Sequence, residues 1–468
     1  MFIKKYLVTL LLSLPIYAGI NNLTLNNAIE ILKKDNLELK ISRFNEAMKA
    51  YEVKAVEGLN YGKLDLTTMG MRSNDAGNVF GFKLQSREAT FGDFGFSEFL
   101  NPLGQAIYGA SQGVPPSDMS GILDVQPEDL NYPEARNHFQ TKLSYMIPLY
   151  TGGKLTEYKN ITESMYHMSK FDTKKLLNIK VYETKKAFYD ISLVENYIYN
   201  LGKMKKNINK LHTIVDTMRL EGYAQNIDVY EVEAHMAEVD SMHNQARLNR
   251  DLAYQFLSFL LNTDVSSIKR VREMAPMPSI NRASIESNNI DIQKAKLGLA
   301  ISEMAIEAQR GNFRPEVGAF AEYGSADNSY LNEFFDKDSY TVGVQLKWNI
   351  FNGGIDEANY EKAKVHNLMV REQVELAKKG IALKVKKLHS EVLSANADVR
   401  SYNKQMKFAT KVYENYKARY KEGMVSISDV IMKQSKELEI LLKLLTSKHK
   451  RNTKVFELDS VLNIGGKA

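Results

Sequence analysis

The chain repeats itself at a fixed distance. Tyr150-Thr151-Gly152-Gly153 recurs as Phe351-Asn352-Gly353-Gly354, 201 residues later. Glu221-Gly222 with Asp228-Val229 recurs as Glu422-Gly423 with Asp429-Val430, and Leu261-Asn262 recurs as Leu462-Asn463, all at the same offset of 201. Such a period constrains the fold more than any single motif, because whatever the first half builds the second must build again. Asn36-Leu37-Glu38-Leu39 matches Asn289-Ile290-Asp291-Ile292 at an offset of 253, so the first half holds 253 − 201 = 52 extra residues. The Gly- and Phe-rich stretch 72–135 accommodates them most economically. This gives a first repeat over 19–263, a linker over 264–282 and a second repeat over 283–468, preceded by a separate segment 1–18.

That leading segment reads as a secretory signal peptide: Lys4 and Lys5, an apolar run from Tyr6 to Ile16, then Ala18 at a cleavage position. Export from the cytoplasm is the consequence. The 468 residues are 44% hydrophobic and 25% charged, a balance that excludes a disordered polymer. A net charge of +6 is small for this length and gives no basic patch for nucleic acid. With no cysteine, disulfides, thiolate metal sites, cysteine nucleophiles and a lipoprotein anchor are excluded.

Five of the ten prolines fall between 72 and 135, whereas none lies between Pro148 and Pro276 or after Pro315. The proline-free segments are therefore free to form long helices. In the first, Val194, Tyr197, Leu201, Met204, Ile208, Leu211, Val215 and Met218 step by three and four, which is the spacing of a coiled-coil seam. In the second, Tyr402, Met406, Ala409, Tyr413, Tyr416 and Tyr420 do the same. Strand patterns sit between the repeat landmarks: apolar residues alternate over Phe139–Leu149, Tyr340–Ile350, Val317–Tyr323 and, less regularly, Leu64–Met71. Each half supplies a hairpin, four strands per chain.

Ten-residue strands with one apolar face suit an outer-membrane barrel, but four strands cannot close, and lipid does not tolerate open sheet edges. Three chains would give twelve strands and a lumen, whereas two would give eight and a filled interior. From Gly153 to Gly222 a continuous helix would be roughly 104 Å long at 1.5 Å per residue. The segments Thr24–Asn60 and Asp228–Leu261 would give roughly 54 and 50 Å, so two of them match one long helix.

These residues resemble the TolC-type outer-membrane efflux channel family. The resemblance is carried by Pro148-Leu149-Tyr150-Thr151-Gly152-Gly153 and Phe351-Asn352-Gly353-Gly354 at barrel-to-helix junctions. It is carried as well by Glu221-Gly222 with Asp228-Val229, and by Arg419-Tyr420-Lys421-Glu422-Gly423 with Asp429-Val430, at helical turns. It implies an α+β membrane protein: a long antiparallel helical tunnel in the periplasm plus four strands per chain in a trimeric twelve-stranded β-barrel in the outer membrane. The partners implied are two further copies, a periplasmic adaptor protein, an inner-membrane transporter and outer-membrane lipid. A conduit for small-molecule efflux is the leading function, with a type I protein-secretion conduit and a soluble periplasmic coiled-coil or adaptor protein as alternatives.

The helical turns are the candidate gate. Gly222 and Gly423 can take the left-handed conformation that ends a helix. Asp228 and Asp429 follow six residues later, where a carboxylate caps the next helix. The resemblance implies that Asp429 lines the lumen as a ring of three carboxylates, with Met432 where a second acidic ring is often found. It implies also a hydrogen bond between Tyr420 and Asp228 that latches the closed entrance, with Val425 where a latching arginine is usual. Glu221, Gly222, Glu422 and Gly423 mark the tips where an adaptor would dock. No catalytic residue, cofactor site or metal site is expected: the eight histidines are scattered, no HExxH occurs, and the nineteen methionines read as packing residues. The 72–135 insert, joining the first two strands, is expected outside the cell as a self-packed loop or lid, with a receptor for outside ligands as the alternative.

Overall fold

A computed structural model describes residues 19–113, 122–271 and 273–463. The expected signal peptide, 1–18, lies outside them. The contacts divide the chain into two units. One comprises the chain up to Ala50, Ser164–Ala300 and the chain from Leu368 on; the other comprises Tyr51–Glu163 and Ile301–Asn367.

The first unit is helical. Its elements are α1 (Leu25–Asp35) and the start of α2 (Leu37–Gly58), most of α6 (Lys154–Leu220), α7 (Asn226–Leu261), α8 (Arg282–Asn288), the first half of α9 (Ile290–Arg310), most of α10 (Ile355–Lys421) and α11 (Ile427–Val461). The helices α6 and α10 each run for 67 residues without interruption, as the proline-free segments require. Asn36 breaks α1 from α2, and the repeat-related Asn289 separates α8 from α9. Asn36 Nδ2 donates to the Leu260 carbonyl at 2.8 Å, while its Oδ1 accepts from Leu39 N at 2.9 Å. Asn289 does the same with the Val461 carbonyl (2.9 Å) and Ile292 N (3.2 Å). One buried amide thus ends one helix, starts the next and ties both to a distant helix terminus, once per repeat.

Among the described residues four clusters of buried side chains hold this unit, two of them large. One gathers Leu32, Leu39, Phe188, Ile191, Leu257, Leu260 and Leu261. The other is a seam of Leu201, Ile208, Leu211 and Val215 on α6 with Val232 and Val239 on α7, Tyr413 and Tyr420 on α10, and Ile427, Val430 and Leu438 on α11. The residues expected as the linker are not free. Val265 and Ile268 pair as parallel bridges with Ile20 and Leu23, and Ala275 accepts a hydrogen bond from the buried Arg451 guanidinium.

The second unit is built on a four-stranded antiparallel sheet in the order β1-β2-β3-β4: Lys63–Ser73, Arg136–Thr151, Glu316–Asp327 and Asp338–Lys347. All four expected strands are present, but β4 ends at Lys347 rather than Ile350. The reason is pairing: Lys347 is opposite Glu316, where β3 starts, so Trp348 and Ile350 have no strand beside them. Trp348 instead donates its indole N–H to the Phe313 carbonyl at 3.1 Å. The insert is not a plain loop. It contains α3 (Ala76–Gln85), α4 (Phe96–Ser111) and a single turn α5 (Glu128–Asn131), with Asp75 capping α3 by accepting from Asn78 N at 3.0 Å.

Candidate functional site: sheet faces, junctions and helical turns

The sheet register separates two chemistries. Across the middle, Leu64, Tyr145, Ala321 and Val342 lie side by side on one face, and Leu66, Leu143, Tyr323 and Tyr340 form the next row of that face. One residue along, the opposite face presents Asp65, Ser144, Glu322 and Thr341 in a row, with Lys142 paired to Glu322 at 2.9 Å. The apolar face is bare in a single chain: Leu66 is 71% exposed, Val342 67% and Tyr340 77%. Among the described residues strands β1 and β4 each pair with one other strand, which leaves their outer edges without a strand beside them, although the Asp338 carbonyl at the start of β4 accepts from the Arg87 guanidinium.

The turn from β2 into α6 is made by the expected glycines. Gly152 and Gly153 have φ of +68° and +91°. A Cβ on Gly152 would lie 2.4 Å from the Gly311 carbonyl oxygen, so close approach as well as backbone conformation requires glycine there. Arg314 Nη1 donates to the Gly152 carbonyl at 3.0 Å, and Lys154 pairs with Glu316. Pro148 sits opposite Gly318 beside a bulge, beyond the last residue of β2 that pairs with β1, where its missing N–H removes no ladder bond. Gly353 and Gly354 have φ of +73° and +83° but open space around them.

The two helical turns are built alike. Gly222 (φ +83°) and Gly423 (φ +73°) end α6 and α10. Tyr223 N closes on the Met218 carbonyl at 2.7 Å and Met424 N on the Arg419 carbonyl at 3.0 Å, the six-residue closing bond of a Schellman turn. Each following helix opens with a capping box. Gln225 N donates to Asp228 Oδ2 at 2.7 Å, and Ser426 N and Oγ donate to Asp429 Oδ2 at 3.2 and 2.7 Å. Both aspartates therefore cap helices. The Ser426 bonds hold the Asp429 carboxyl below the usual carboxylate range, with Lys433 adding to the effect.

Tyr420 is buried in the seam core, and burial together with the nearby negative charge of Asp228 raises its hydroxyl pKa. No hydrogen bond joins Tyr420 to Asp228 among the described residues; the Asp228 carboxylate is engaged by Gln225. A link absent from the sequence reading joins the turns instead: Ser428 Oγ donates to Glu231 Oε2 at 2.6 Å. Repeat register could have pointed to Glu231, which occupies the position equivalent to Met432 at the 201 offset. Glu221, Glu422 and the side chains of Leu220, Tyr223, Ile227, Tyr230 and Met424 are exposed at the tips. Among the described residues no cluster of His, Asp and Glu is arranged to hold a metal ion, and no helix is long and apolar enough to cross a membrane.

Comparison with known proteins agrees with the resemblance read from the sequence. Residues 282–463 match the family model described as outer membrane efflux protein. The outer membrane efflux protein BepC of Brucella suis is 19% identical over 253 residues, which cover 53% of this chain and 55% of BepC. The chain thus spans about half the length of that curated relative. The crystal structure of CusC superposes with a TM-score of 0.74 at 14% identity, covering 96% of this chain and 95% of CusC. The open state of the MtrE outer membrane channel of Neisseria gonorrhoeae gives a TM-score of 0.72 at 14% identity, covering 94% and 88%. At these identities the structural matches establish the fold: long helices with a four-stranded antiparallel sheet.

Proposed function

We propose that this chain, which carries the outer membrane efflux protein signature in its second repeat and the fold of CusC and MtrE throughout, is the outer-membrane channel of a tripartite efflux system. It works as a homotrimer in the outer membrane, with its long helices in the periplasm. The observation that carries this is the sheet: a bare apolar face on four strands with two unpaired edges. In lipid the apolar face is stable and the open edges are not, each unsatisfied backbone group costing several kcal/mol. Pairing β4 of one copy with β1 of the next satisfies both edges, and three copies close a barrel whose polar face encloses water.

Two helices support the same assembly. On α2, Leu37, Ile41, Phe44, Met48 and Tyr51 are exposed at steps of four and three; on α10, Met369, Leu376 and Leu383 are exposed at steps of seven. Such seams require a neighbouring helix. The channel is passive, and transported small molecules are driven by an inner-membrane transporter engaged through a periplasmic adaptor. The exposed turns around Gly222 and Gly423, with Glu221 and Glu422, form the docking tips. Asp429 from three copies forms an acidic ring at the entrance, and the packing of Tyr420 beside Asp228 keeps the entrance narrow.

The test is the mass of the mature protein extracted from outer membranes, with detergent subtracted, together with its conductance in planar bilayers. A detergent-requiring trimer that conducts is expected. A water-soluble monomer or dimer overturns the reading.

A further inference from the structure

We infer that the helical insert folds into the barrel mouth and closes it by packing α4 against α4 of the two other copies, a conclusion that rests on the trimeric barrel proposed above. The anchoring comes first. Arg136 and His138 share the polar face of β2 with Gln140 and Lys142, by the two-residue alternation of a strand. The Phe82 ring of α3 stacks on His138 with centroids 4.1 Å apart and planes 8° from parallel, burying both side chains. Arg136 bonds Ser86 at 3.0 Å and pairs with Glu88, which also pairs with Lys337 from the β3–β4 connection. Lys337 in turn holds the buried Asp327 at 3.0 Å. Through His138 and Arg136 the insert is therefore fastened to the face that lines the water-filled side of the barrel, at the end of the strands away from the Gly152 junction, while the Lys337 link ends on Asp327, which is opposite Phe139 at the tip of β3.

Helix α4 is carried on this base. The Glu98 carboxylate accepts from Glu128 N of α5 at 3.1 Å, which ties up the one charged side chain among its 16 residues. None of its side chains is buried in a single chain. Phe96, Leu100, Leu103 and Ile107 follow one another at steps of four, three and four along one side, and Phe96, Leu100 and Ile107 are 46%, 44% and 63% exposed. That spacing suits another helix with the same seam. A barrel of twelve strands spaced ~4.8 Å and tilted ~45° is about 26 Å across between backbones. Three helices of ~10–12 Å diameter fill that opening. The seam thus faces two more copies of itself, continuous with the strand edges through which the same copies meet.

Because the chain has no cysteine, single-cysteine variants report the contact directly. Ile107→Cys and Phe96→Cys, each purified as the detergent-solubilised full chain and oxidised with copper phenanthroline, are expected to give a reducible covalent dimer as the main product. Gln105→Cys, on the opposite side of α4, is expected to stay monomeric on a denaturing gel. The mass of each sample before oxidation reports the barrel separately. A trimer in which Ile107→Cys and Phe96→Cys fail to cross-link, or cross-link no better than Gln105→Cys, overturns the plug while leaving the barrel. A monomer overturns the barrel and the plug with it.

Discussion

If the apolar face of the sheet meets lipid and the polar face water, two adjacent residues must respond differently to the same substitution. Val342 and Thr341 are near the middle of β4, point to opposite faces and share the same strand environment. On the apolar face Val342 continues the row Leu64, Tyr145, Ala321, so an arginine there is placed near the bilayer midplane, at a cost of ~2–4 kcal/mol per chain. At 1.4 kcal/mol per tenfold, that is about a 30- to 700-fold loss in the equilibrium between inserted and uninserted chain. Thr341→Arg is instead opposite Glu322, where an opposite-charge cross-strand pair contributes a favourable ~0.2–1 kcal/mol. The assay is urea titration of the folded trimer in lipid vesicles. Val342→Arg is expected to unfold at much lower urea than wild type, and Thr341→Arg within error of it. Equal effects of the two arginines, or a larger effect at Thr341, would refute the assignment of faces.

Other expectations concern the helical unit and its turns. Asn36→Ala leaves the Leu260 carbonyl and Leu39 N without a buried partner and is expected to cost ~1–3 kcal/mol, with Asn289→Ala similar; thermal unfolding of the detergent-solubilised protein checks both. Asp429 has a folded-state pKa below its unfolded value, so its capping contribution is present above the unfolded pKa and is lost as pH falls through the folded one. A wild-type trimer should therefore lose thermal stability on acidification into that range by more than Asp429→Asn does. Neutralising Asp429 should also weaken the preference for cations in single-channel recordings, and unchanged selectivity would remove it from the lumen. If Tyr420 packing narrows the entrance, Tyr420→Ala should raise single-channel conductance, whereas Tyr420→Phe, which keeps the buried ring, should leave it near wild type.

The sequence exposed those parts of the fold that periodicity controls. The strands β2 and β4 alternate because one face of the sheet is apolar and the other polar, and α6 and α10 run uninterrupted because nothing in them breaks a helix. The turns were legible because Gly222 and Gly423 take positive φ and the aspartates cap, both local effects. What depended on distant partners was not legible. The insert reads as a loop because Gly77, Gly81 and Gly104 and Pro102 disfavour helix, yet α3 forms with Val79 and Phe82 buried and with its end fastened by Glu88. Asn36 and Asn289 were visible as repeat landmarks, but their role required the carbonyls of Leu260 and Val461, 224 and 172 residues away. The link from Ser428 to Glu231 joins two repeats, and no pattern within either one specifies it.

The duplication also states what the second junction lacks. Gly152 packs on Gly311, and Arg314 bonds its carbonyl, so the end of α9 in the second repeat closes the turn that leaves β2 in the first. The 253 offset makes Gly58 and Tyr61, at the end of α2, the counterparts of Gly311 and Arg314, and the 201 offset makes Gly353 the counterpart of Gly152. Gly353 nonetheless has open space around it. If the repeats are to be used equivalently around a ring, the end of α2 from the next copy fills that space. Alanine at Gly152 must then meet both the positive φ, about 1–2 kcal/mol, and a backbone oxygen within the same chain, so it should reduce the yield of folded chain. Alanine at Gly353 meets only the positive φ until a neighbour arrives, and its excess cost should appear on assembly, as a lowered trimer fraction at low protein concentration. A Gly353→Ala trimer as resistant to dilution as wild type would mean that the second junction stays open and that the two repeats are not equivalent in the ring.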